Sequence, residues 1–407
     1  GYAVVKKPEG YTTAKVDQII QEYEKKSANE QQSTAKQYPN IITVVNETFA
    51  DIRVLGDFKT NEDYMPYFHS LKKNCVTGYT YASIVGGQTA NTEFELLTGN
   101  TLGFLSAGTT AFQLYIHGQM PSLVSNLKAE GYSGNKAMHP FNPYNYNRPA
   151  VYKDFGFTDF IDKFDFPKNV KRVREYISDE ANVDRIISEY EKNRKKTDQP
   201  FYMYNMTIQN HSPYDKDAAN FKQPIKIESS QYDAEANRYL NLIKYSDDSL
   251  KQLTSYFEKC KEPTIILFLG DHQPRLTDEF MNKITNGQYQ TWSSEQMMKR
   301  YQVPFVIWAN YDIKEQHIEK TSMNYIQSIL TKTAGVKMTG YQRFLNEVRK
   351  EVPTITSQGY WGKNGKFYQI NDKGSPYYGI IQKYRMIQYN MMFDKKNRRD
   401  PFFEVSK

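Results

Sequence analysis

The most informative stretch of this sequence is Thr264-Ile265-Ile266-Leu267-Phe268-Leu269-Gly270-Asp271-His272. Its first six residues are almost all apolar and carry no charge, which is typical of a strand buried on both faces of a parallel sheet. A carboxylate and an imidazole follow at the end of this strand. A charge in such a buried position requires a partner, and a metal ion is the simplest one. The alternative is a helix-capping Asp beside a structural His.

Several other segments read as strands of the same kind. Between them lie helical patterns, such as the apolar repeat over residues 239–257 and a helix that runs from an N-capping Ser178 to Lys192. Strands that alternate with helices predict an α/β fold in which a mostly parallel central sheet is flanked by helices. The other predicted strands are residues 41–45, 136–138, 201–206 and 305–308.

The character of the sequence changes along the chain and predicts three parts. Residues 1–38 are rich in Lys, Glu, Gln and Ser and form a connecting arm that includes a helix. Residues 39–350 carry the alternating strands and helices and form the main domain. Residues 351–407 have short alternating segments, Gly-rich turns, a hairpin signal at Asn364-Gly365 and a final helix. They form a small C-terminal α+β subdomain.

Composition narrows the classes of function. The chain has 407 residues, 14% aromatic residues and a formal net charge of +7, which suits a folded protein that works near anionic lipid or an anionic polymer. No stripe of Lys and Arg is dense enough to indicate nucleic-acid binding. No run approaches the roughly 20 apolar residues of a membrane span. The two cysteines, Cys75 and Cys260, are expected to be separate thiols.

Five polar residues each follow a predicted strand, which places them at one edge of the sheet. In open α/β sheets, ligands bind at the carboxyl ends of the strands. Three of the five provide carboxylate and imidazole groups that could hold a metal and leave a position open for a reacting oxygen. A single His in such a position is equally consistent with a structural role. The five residues are Glu47, His139, His211, Asp271 and His272, and the metal set is Glu47, Asp271 and His272.

A hydroxyl group follows the tight turn Gly86-Gly87-Gln88, where a helix is predicted to begin. Thr89 is a favoured N-cap residue, so a purely structural role would account for it. However, the free N–H groups and the dipole of a helix N-terminus also favour a phosphate group. A hydroxyl is a weak nucleophile, and coordination to a metal activates it. Thr89 and the three predicted ligands together indicate phosphoryl transfer through a covalent intermediate.

His139 and Arg148 bracket a loop rich in Tyr and Asn. Arg contacts phosphate oxygens with two parallel hydrogen bonds, which makes Arg148 a candidate phosphate ligand. Taken alone, an Arg on a solvated loop is the better interpretation of this residue. The three remaining histidines have no comparable context, and we expect structural roles for His69, His117 and His317.

In their order and spacing, these residues resemble the extracellular catalytic domain of the lipoteichoic acid synthase family. Members of this family are phosphoglycerol transferases of the alkaline phosphatase/sulfatase superfamily. The resemblance covers about residues 39–393. It is carried by Asn46-Glu47-Thr48-Phe49, Gly87-Gln88-Thr89 with Glu93-Phe94, His139 with Tyr146-Asn147-Arg148, residues 152–157 and 210–214, Gly270-Asp271-His272, and residues 384–389.

The resemblance implies an activity and a role for each residue. Thr89 would take glycerol phosphate from phosphatidylglycerol and release diacylglycerol. One divalent ion, usually manganese in this family, with Mg²⁺ or Zn²⁺ as alternatives, would be bound by Glu47, Thr89, Asp271 and His272. The phosphoglycerol group would be held by His139, Tyr146, Arg148 and His211.

The resemblance also implies a location and partners. Family members usually carry N-terminal transmembrane helices, so we expect this chain to be a soluble ectodomain at the extracellular face of a Gram-positive cell membrane. The acceptor would be an anionic or glycan polymer of the cell envelope, either lipoteichoic acid or a wall polysaccharide. Two departures from the family pattern leave the acceptor open. Tyr146 replaces the common Trp, and Gln273-Pro274 follows Asp271-His272 where Tyr-Gly is typical.

Other activities are weighed against this one. A sulfatase requires Cys or Ser in a Cys-x-Pro-x-Arg context, which Cys75-Val76-Thr77 does not supply. Phosphoethanolamine transferases resemble disulfide-rich domains with more histidines, whereas this chain has two Cys and six His. A phosphoethanolamine transferase or a phosphodiesterase of the same superfamily, and an inactive ectodomain that binds polymer, are the alternatives. The set of Glu47, Thr89, Asp271 and His272 is evidence against the inactive form.

Overall fold

The computed structural model describes residues 5–405, and most of its strands join one sheet. In chain order the strands are β1 (Asn40–Asn46), β2 (Cys75–Tyr81), β3 (Ser133–Met138), β4 (Asp159–Ile161), β5 (Arg172–Val173), β6 (Tyr176–Ile177), β7 (Phe201–Met206), β8 (Thr264–Gly270), β9 (Gln302–Ala309), β10 (Gln316–Ser322), β11 (Thr354–Thr356), β12 (Gly359–Trp361) and β13 (Phe367–Tyr368). Eight of them form the central sheet in the order β10-β2-β9-β8-β1-β7-β3-β4.

The central sheet is mostly parallel. Strands β8, β1, β7, β3 and β4 run parallel to one another, and β10 runs parallel to β2. Within this sheet, as far as the chain is described, only the pairs on either side of β9 are antiparallel. This arrangement confirms the predicted α/β class with a mostly parallel central sheet.

Helices cover both faces of the sheet. In chain order they are α1 (Thr13–Lys26), α2 (Pro66–Ser70), α3 (Thr89–Thr98), α4 (Ala111–Tyr115), α5 (Leu123–Ala129), α6 (Arg148–Phe155), α7 (Asp179–Lys196), α8 (Ala234–Glu258), α9 (Asp278–Thr285), α10 (Ser294–Met297), α11 (Met323–Ala334), α12 (Gly340–Glu351), α13 (Tyr378–Met392) and α14 (Asp400–Phe403). Within residues 5–405, no helix is both long and apolar enough to cross a lipid bilayer.

The central strand β1 shows how the sheet divides the core. Ile41 and Val45 pack into a cluster with α3, α11 and α12, whereas Ile42 and Val44 pack into a second cluster with α7 and α8. Every residue of β1 is buried. Because both faces of the strand meet apolar layers, its sequence does not alternate between polar and apolar residues.

The predicted strands are confirmed: β7 spans the predicted residues 201–206, and the other four are longer than predicted by one to four residues. The outer part of the sheet was missed. Strand β10 is exposed over most of its length, so its sequence lacks the apolar run that marks a buried strand. Strand β2 pairs with it and carries Cys75.

Both Cys75 and Cys260 are free thiols, as expected. The N-cap at Ser178 is also confirmed, since its side chain accepts a hydrogen bond from the Ala181 N–H.

Both ends of the described chain pack on the main body. Helix α1 contacts α12 and α13, and its residues Val16, Ile19 and Tyr23 are buried. Near the other end, Arg399 forms an ion pair with Asp17 of α1 at 2.7 Å.

The predicted boundaries at residues 38 and 350 stay predictions; residues 1–4 of the arm and 406–407 of the C-terminal part lie outside the described residues. Strands β11 to β13 form a small antiparallel sheet, and the turn between β12 and β13 contains the predicted Asn364-Gly365 pair.

Helix α3 carries a buried carboxyl group behind the sheet edge. All ten residues of α3 are buried, and the helix packs against α11. One oxygen of Glu95 accepts hydrogen bonds from the Ser83 hydroxyl and the Leu102 N–H, both at 2.9 Å. The other oxygen has no hydrogen-bond partner among the described residues. Burial raises the pKa of Glu95 from 4.5 to about 8, so the side chain is neutral at pH 7.

We predict that Glu95→Gln reduces the loss of stability between about pH 5 and pH 8. In the wild type the unfolded chain releases this proton near its ordinary pKa while the folded chain keeps it, so the free energy of unfolding falls as the pH rises through this window. The variant lacks this contribution, which we expect to be of the order of 2–4 kcal/mol. Urea denaturation at both pH values measures it, with the exposed Glu62→Gln as control. Equal pH dependence in wild type and Glu95→Gln would contradict a buried neutral carboxyl.

Candidate active site

The ends of two adjacent strands bring the predicted metal ligands together. Strands β1 and β8 are paired in parallel with Asn46 opposite Gly270. Glu47 follows β1 directly, and Asp271 and His272 follow β8. All three side chains are buried, and their ligand atoms lie within 4.8 Å of one another. The register of the sheet therefore assembles these groups at its carboxyl edge, where the sequence places them.

Thr89 reaches the same point from the other side. Its Oγ lies 3.0 Å from Asp271 Oδ2, 3.3 Å from Glu47 Oε2 and 3.5 Å from His272 Nε2. His272 Nε2 in turn lies 3.1 Å from Asp271 Oδ2 and 3.5 Å from Glu47 Oε1. The structure thus brings together one hydroxyl, two carboxylates and one imidazole.

The spacing of these atoms fits a metal ion. A tetrahedral cation with ligand bonds of about 2.0–2.2 Å separates its ligand atoms by about 3.3–3.6 Å. The five separations above are 3.0–3.5 Å, so small movements would centre a cation among them. The donor set of oxygen and imidazole nitrogen suits divalent manganese or zinc. The site is therefore a candidate divalent-metal site, held by Glu47, Thr89, Asp271 and His272.

Neighbouring backbone groups orient the ligands. His272 Nδ1 donates a hydrogen bond to the Gln273 carbonyl at 2.8 Å, which leaves Nε2 with its lone pair for a metal. Asp271 Oδ1 accepts hydrogen bonds from the N–H groups of Thr48 at 2.6 Å and of His272 at 2.8 Å. Its other oxygen, Oδ2, is the one that faces Thr89. Both ligands therefore present one defined atom to the site.

Thr89 is not an N-cap residue. It is the first residue of α3, and the N-cap is Gln88, which has a left-handed backbone (φ 58°) and makes no side-chain capping bond. The turn needs this conformation and a glycine at Gly86, where φ is 73°. The Thr89 hydroxyl is directed at the carboxylates, and Thr92 anchors the helix by donating to the Asp271 carbonyl at 2.8 Å. The structural interpretation of Thr89 as a cap is therefore wrong.

The charges at the site are strongly coupled. Burial alone would raise the pKa of Glu47, but the hydrogen bond and charge of His272 lower it to about 2. Burial and the charge of Glu47 raise the pKa of Asp271 to about 8. Burial would lower the pKa of His272, but the charges of Asp271 and Glu47 outweigh it and raise the value to about 9. Without a metal, Asp271 and His272 therefore favour their protonated forms near neutral pH, whereas Glu47 favours its ionised form.

A small cavity beside Thr89 gathers the other predicted residues. Its volume is about 60 Å³, and its lining includes Glu47, Thr89, His139, Tyr146, Arg148 and His211. His211 stacks on the Phe141 ring at 6.2 Å between ring centres. Every site residue predicted from the sequence thus lies at this cavity or at the metal cluster next to it. Their assignment to catalysis, metal binding or substrate binding stays a prediction.

Arg148 does not lie on a solvated loop. Its guanidinium group is 2% exposed and forms a forked ion pair with Glu93, from Nε at 3.1 Å and Nη2 at 2.9 Å. Glu93, one turn along α3 from Thr89, also accepts hydrogen bonds from the hydroxyls of Tyr152 and Tyr204. The interpretation of Arg148 as a surface residue is therefore wrong. Its guanidinium group is held against α3, the helix that begins at Thr89.

His139 and Tyr146 are also held in defined states. His139 Nδ1 donates to the Met206 carbonyl at 2.9 Å. Burial, reinforced by the charge of Arg148, lowers the pKa of His139 to about 3, so the ring is neutral and its Nε2 accepts hydrogen bonds. Tyr146 and Asn147 both have left-handed backbones, with φ of 59° and 58°. Such strain at two consecutive non-glycine residues is typical of functional sites, and it places the Tyr146 ring 5.2 Å from the Arg148 guanidinium.

Sequence reasoning assigned no role to the buried partners of these residues. The Glu93 carboxylate pairs with Arg148 and also accepts hydrogen bonds from the hydroxyls of Tyr152 and Tyr204. Glu93 lies four residues after Thr89, on the same side of a helix, which was the available signal. The two tyrosines come from α6 and β7, and only the folded chain brings them together.

A comparison with protein families identifies this architecture. The family model described as "Sulfatase" matches residues 39–336. The chain belongs to the sulfatase family. This sulfatase-family chain is 31% identical over 380 residues to a putative cyclic β-1,2-glucan modification protein of Rhizobium meliloti (strain 1021), which covers 91% of the chain and 57% of that protein. It is 27% identical over 237 residues to the lipoteichoic acid synthase-like YvgJ of Bacillus subtilis (strain 168), which covers 57% of the chain and 36% of that protein.

The chain spans about half or less of the length of these curated relatives. These relatives come from Rhizobium meliloti and Bacillus subtilis. The family is therefore not limited to Gram-positive bacteria, which the sequence led us to expect as the source. Among solved structures, the Streptococcus pyogenes phosphoglycerol transferase GacH in complex with sn-glycerol-1-phosphate matches with a TM-score of 0.79 and 20% identity, over 99% of this chain and 100% of that chain. The lipoteichoic acid synthase LtaP of Listeria monocytogenes matches with a TM-score of 0.66 and 19% identity, over 95% and 98%. These likenesses establish the fold of the sulfatase-family domain.

We predict that the affinity of the site for Mn²⁺ increases as the pH is raised from about 6 to 8. Metal ligands must be deprotonated, and the raised pKa values of Asp271 and His272 mean that both hold protons at the lower pH. Protons therefore compete with the metal. Titration calorimetry should show a dissociation constant that falls about tenfold or more per pH unit. His272→Gln should bind more weakly and with a smaller pH dependence; a pH-independent constant for the wild type would contradict this protonation state.

We also predict that Arg148→Ala lowers the free energy of unfolding by about 3–5 kcal/mol, because it leaves the buried Glu93 carboxylate unpaired. Urea denaturation measures the change. The double variant Arg148→Ala/Glu93→Gln removes that charge and should recover part of the loss. Lys171→Ala breaks the exposed Lys171–Glu180 pair and should cost no more than about 1 kcal/mol. A similarly small cost for Arg148→Ala would contradict the buried ion pair.

Proposed function

We propose that this chain is a metal-dependent phosphoglycerol transferase in which Thr89 forms a covalent intermediate. One observation carries the proposal. The Thr89 hydroxyl oxygen lies 3.0–3.5 Å from a ligand atom of each of Asp271, Glu47 and His272, and it stands at the N-terminus of a buried helix. A hydroxyl in this position is next to a metal that can activate it and to N–H groups that favour a phosphate.

Phosphatidylglycerol is the proposed donor. Thr89 Oγ attacks the phosphorus atom, and the Oγ–P bond forms as the bond from phosphorus to the diacylglycerol oxygen breaks. Thr89 loses its hydroxyl proton and the diacylglycerol oxygen gains one, so neutral diacylglycerol leaves and glycerol phosphate stays on Thr89. A divalent ion bound by Glu47, Thr89, Asp271 and His272, which we propose to be manganese, supplies Lewis-acid activation of the attacking hydroxyl.

The small cavity next to Thr89 is proposed to hold the phosphoglycerol group. Arg148 uses Nε and Nη2 for Glu93, which leaves Nη1 for a phosphate oxygen. His139 presents a neutral Nε2, which suits it to accept a hydrogen bond from a glycerol hydroxyl rather than to bind the anion. Tyr146 and His211 complete the walls of the cavity. The Arg148 guanidinium group is already held by Glu93 before the donor binds. Binding therefore costs little side-chain conformational entropy at this residue.

The names of similar proteins support this choice within the family. GacH is named as a phosphoglycerol transferase, and LtaP and YvgJ are named as lipoteichoic acid synthases or similar to one. We therefore place the chain at the outer face of a cell membrane, as the ectodomain of a protein with N-terminal membrane helices. The acceptor is a cell-envelope polymer, either lipoteichoic acid or a polysaccharide. The Rhizobium meliloti relative, named for glucan modification, favours a polysaccharide.

Sulfate-ester hydrolysis is less well supported, although the family bears its name. That chemistry uses a modified Cys or Ser as nucleophile, whereas the hydroxyl beside the candidate metal ligands belongs to Thr89. Cys75 lies within β2 and is buried. Burial also raises the pKa of its thiol to about 12, which makes it a poor nucleophile.

We predict that Thr89→Ala lowers the rate of diacylglycerol release by at least about a thousandfold, because the nucleophile is lost. The assay is release of diacylglycerol from fluorescent phosphatidylglycerol in the presence of Mn²⁺. Intact mass spectrometry of the wild type, quenched during turnover, should show a glycerol phosphate adduct that maps to Thr89.

Thr89→Ser is the matched variant, since it keeps the hydroxyl and should keep measurable turnover. Circular dichroism should show all three proteins folded. Turnover by Thr89→Ala at a wild-type rate would remove Thr89 from the mechanism. Diacylglycerol release by none of the proteins, with Mn²⁺ bound, would reject the transferase function.

A further inference from the structure

A second and much larger cavity opens next to the nucleophile. Its volume is about 610 Å³, within the range of sites that bind small organic ligands. It shares Gly86, Gly87, Gln88 and Ser212 with the small cavity, and it is also lined by the metal-ligand candidate His272. A Cβ atom at Gly87 would meet no atom within 4 Å. The turn before Thr89 therefore forms an open junction between the two cavities.

The walls of this cavity come from loops rather than from the sheet. The segments 83–88, 105–109 and 357–358 contribute to it, together with residues after β8. Most of the side chains are uncharged hydrogen-bonding groups, including Ser83, Gln88, Ser106, Thr109, Ser357 and Gln358. Within residues 5–405, no Asp or Glu lines the cavity. Behind the wall, the Glu95 carboxyl accepts a hydrogen bond from the cavity residue Ser83, and burial raises the pKa of Glu95 to about 8.

Arg275 is the one Lys or Arg that lines the cavity within the described part of the chain, and it lies at the Thr89 end. The Gly86 N–H donates to the Gln273 carbonyl at 2.9 Å, which ties the turn to the segment that carries Arg275. A Cβ at Gly86 would come within 3.0 Å of Arg275 Cβ and 3.3 Å of Nε. Arg275 forms no ion pair with any described residue. The Arg275 side chain therefore lies beside the turn that precedes Thr89.

We propose that this larger cavity is the acceptor site and that it takes an uncharged polyhydroxylated chain, a neutral glycan, rather than an anionic glycerol phosphate polymer. The proposal rests on the proposed transferase function, because it assigns the second substrate of the same site. Hydroxyl and amide side chains pair with sugar hydroxyls. A polyanion would bring one negative charge per repeat, and beyond Arg275 the walls offer no cation to compensate it.

The stereochemistry of transfer requires the acceptor to reach the phosphorus atom from one defined side. In an in-line displacement, the attacking and leaving oxygens lie on opposite sides of phosphorus. The acceptor oxygen must therefore approach the phosphorus atom opposite Thr89 Oγ, on the side from which diacylglycerol left. The acceptor oxygen then bonds to phosphorus as the Oγ–P bond breaks, and the proton lost by the acceptor hydroxyl ends on Thr89 Oγ. An acyl chain would not suit the rest of the cavity, because its polar walls would lose their water without gaining partners.

The test offers the enzyme two acceptors of similar length, a neutral β-glucan oligosaccharide and a glycerol phosphate oligomer, with phosphatidylglycerol and Mn²⁺. Mass spectrometry measures glycerol phosphate on each acceptor, and diacylglycerol release measures donor cleavage. We expect transfer to the glucan with a kcat/KM at least about tenfold higher than to the anionic oligomer. Diacylglycerol release with transfer only to the anionic oligomer or to water would overturn the acceptor assignment. Absence of diacylglycerol release would reject the transferase function instead.

Binding provides a readout that does not depend on turnover. Ala107 is exposed and lines the cavity, and Ala107→Trp should fill it. This variant should weaken glucan binding, measured by calorimetry, by at least about tenfold and should lower the ratio of glucan transfer to hydrolysis. The matched control is Ala219→Trp, the same change on an exposed turn away from both cavities. Equal glucan affinity in wild type and Ala107→Trp, or no measurable glucan binding by the wild type, would overturn the proposal.

Discussion

One backbone contact fixes the geometry of the site: the Thr48 N–H donates to Asp271 Oδ1 at 2.6 Å. It joins the residue after Glu47 to the residue that follows β8. The two segments approach so closely that a Cβ at Gly270 would come within 1.8 Å of the Phe49 carbonyl oxygen. Only glycine fits there. The candidate ligand atoms can converge because the backbone segments that follow β1 and end β8 are in contact. Any side chain at residue 270 would push these two segments apart.

Two charge clusters meet at this edge, and they are balanced in different ways. Arg148 and Glu93 neutralise each other within a forked pair, supported by tyrosine hydroxyls. The cluster of Glu47, Asp271 and His272 lacks a full complement of positive charge and holds protons in its place. A divalent metal would replace those protons, whereas the ion pair is complete within the protein. The first cluster therefore holds the Arg148 side chain in place, and the second is a candidate site for a metal ion.

The sequence was a good guide where burial leaves a pattern. Strands β1, β7 and β8 are covered on both faces, so their apolar runs were visible and the polar residues after them could be placed at one edge. The exposed strand β10 has no such run and was missed. The pairing of Arg148 with Glu93 spans 55 residues and arises only from folding. The family resemblance located Tyr146 and Arg148, but composition gave no information on which cavity receives which substrate.

The C-terminus of α3, the helix that begins at Thr89, is held by residues from the last part of the chain. The Gly99 carbonyl, at the C-terminus of α3, accepts hydrogen bonds from Tyr384 of α13 at 2.6 Å and Tyr341 of α12 at 3.2 Å. Tyr384 is 295 residues after Thr89. During synthesis, the helix that carries Thr89 therefore lacks its final support until α13 has been made. The final position of Thr89 therefore depends on hydrogen bonds from helices that are synthesised up to nearly three hundred residues later.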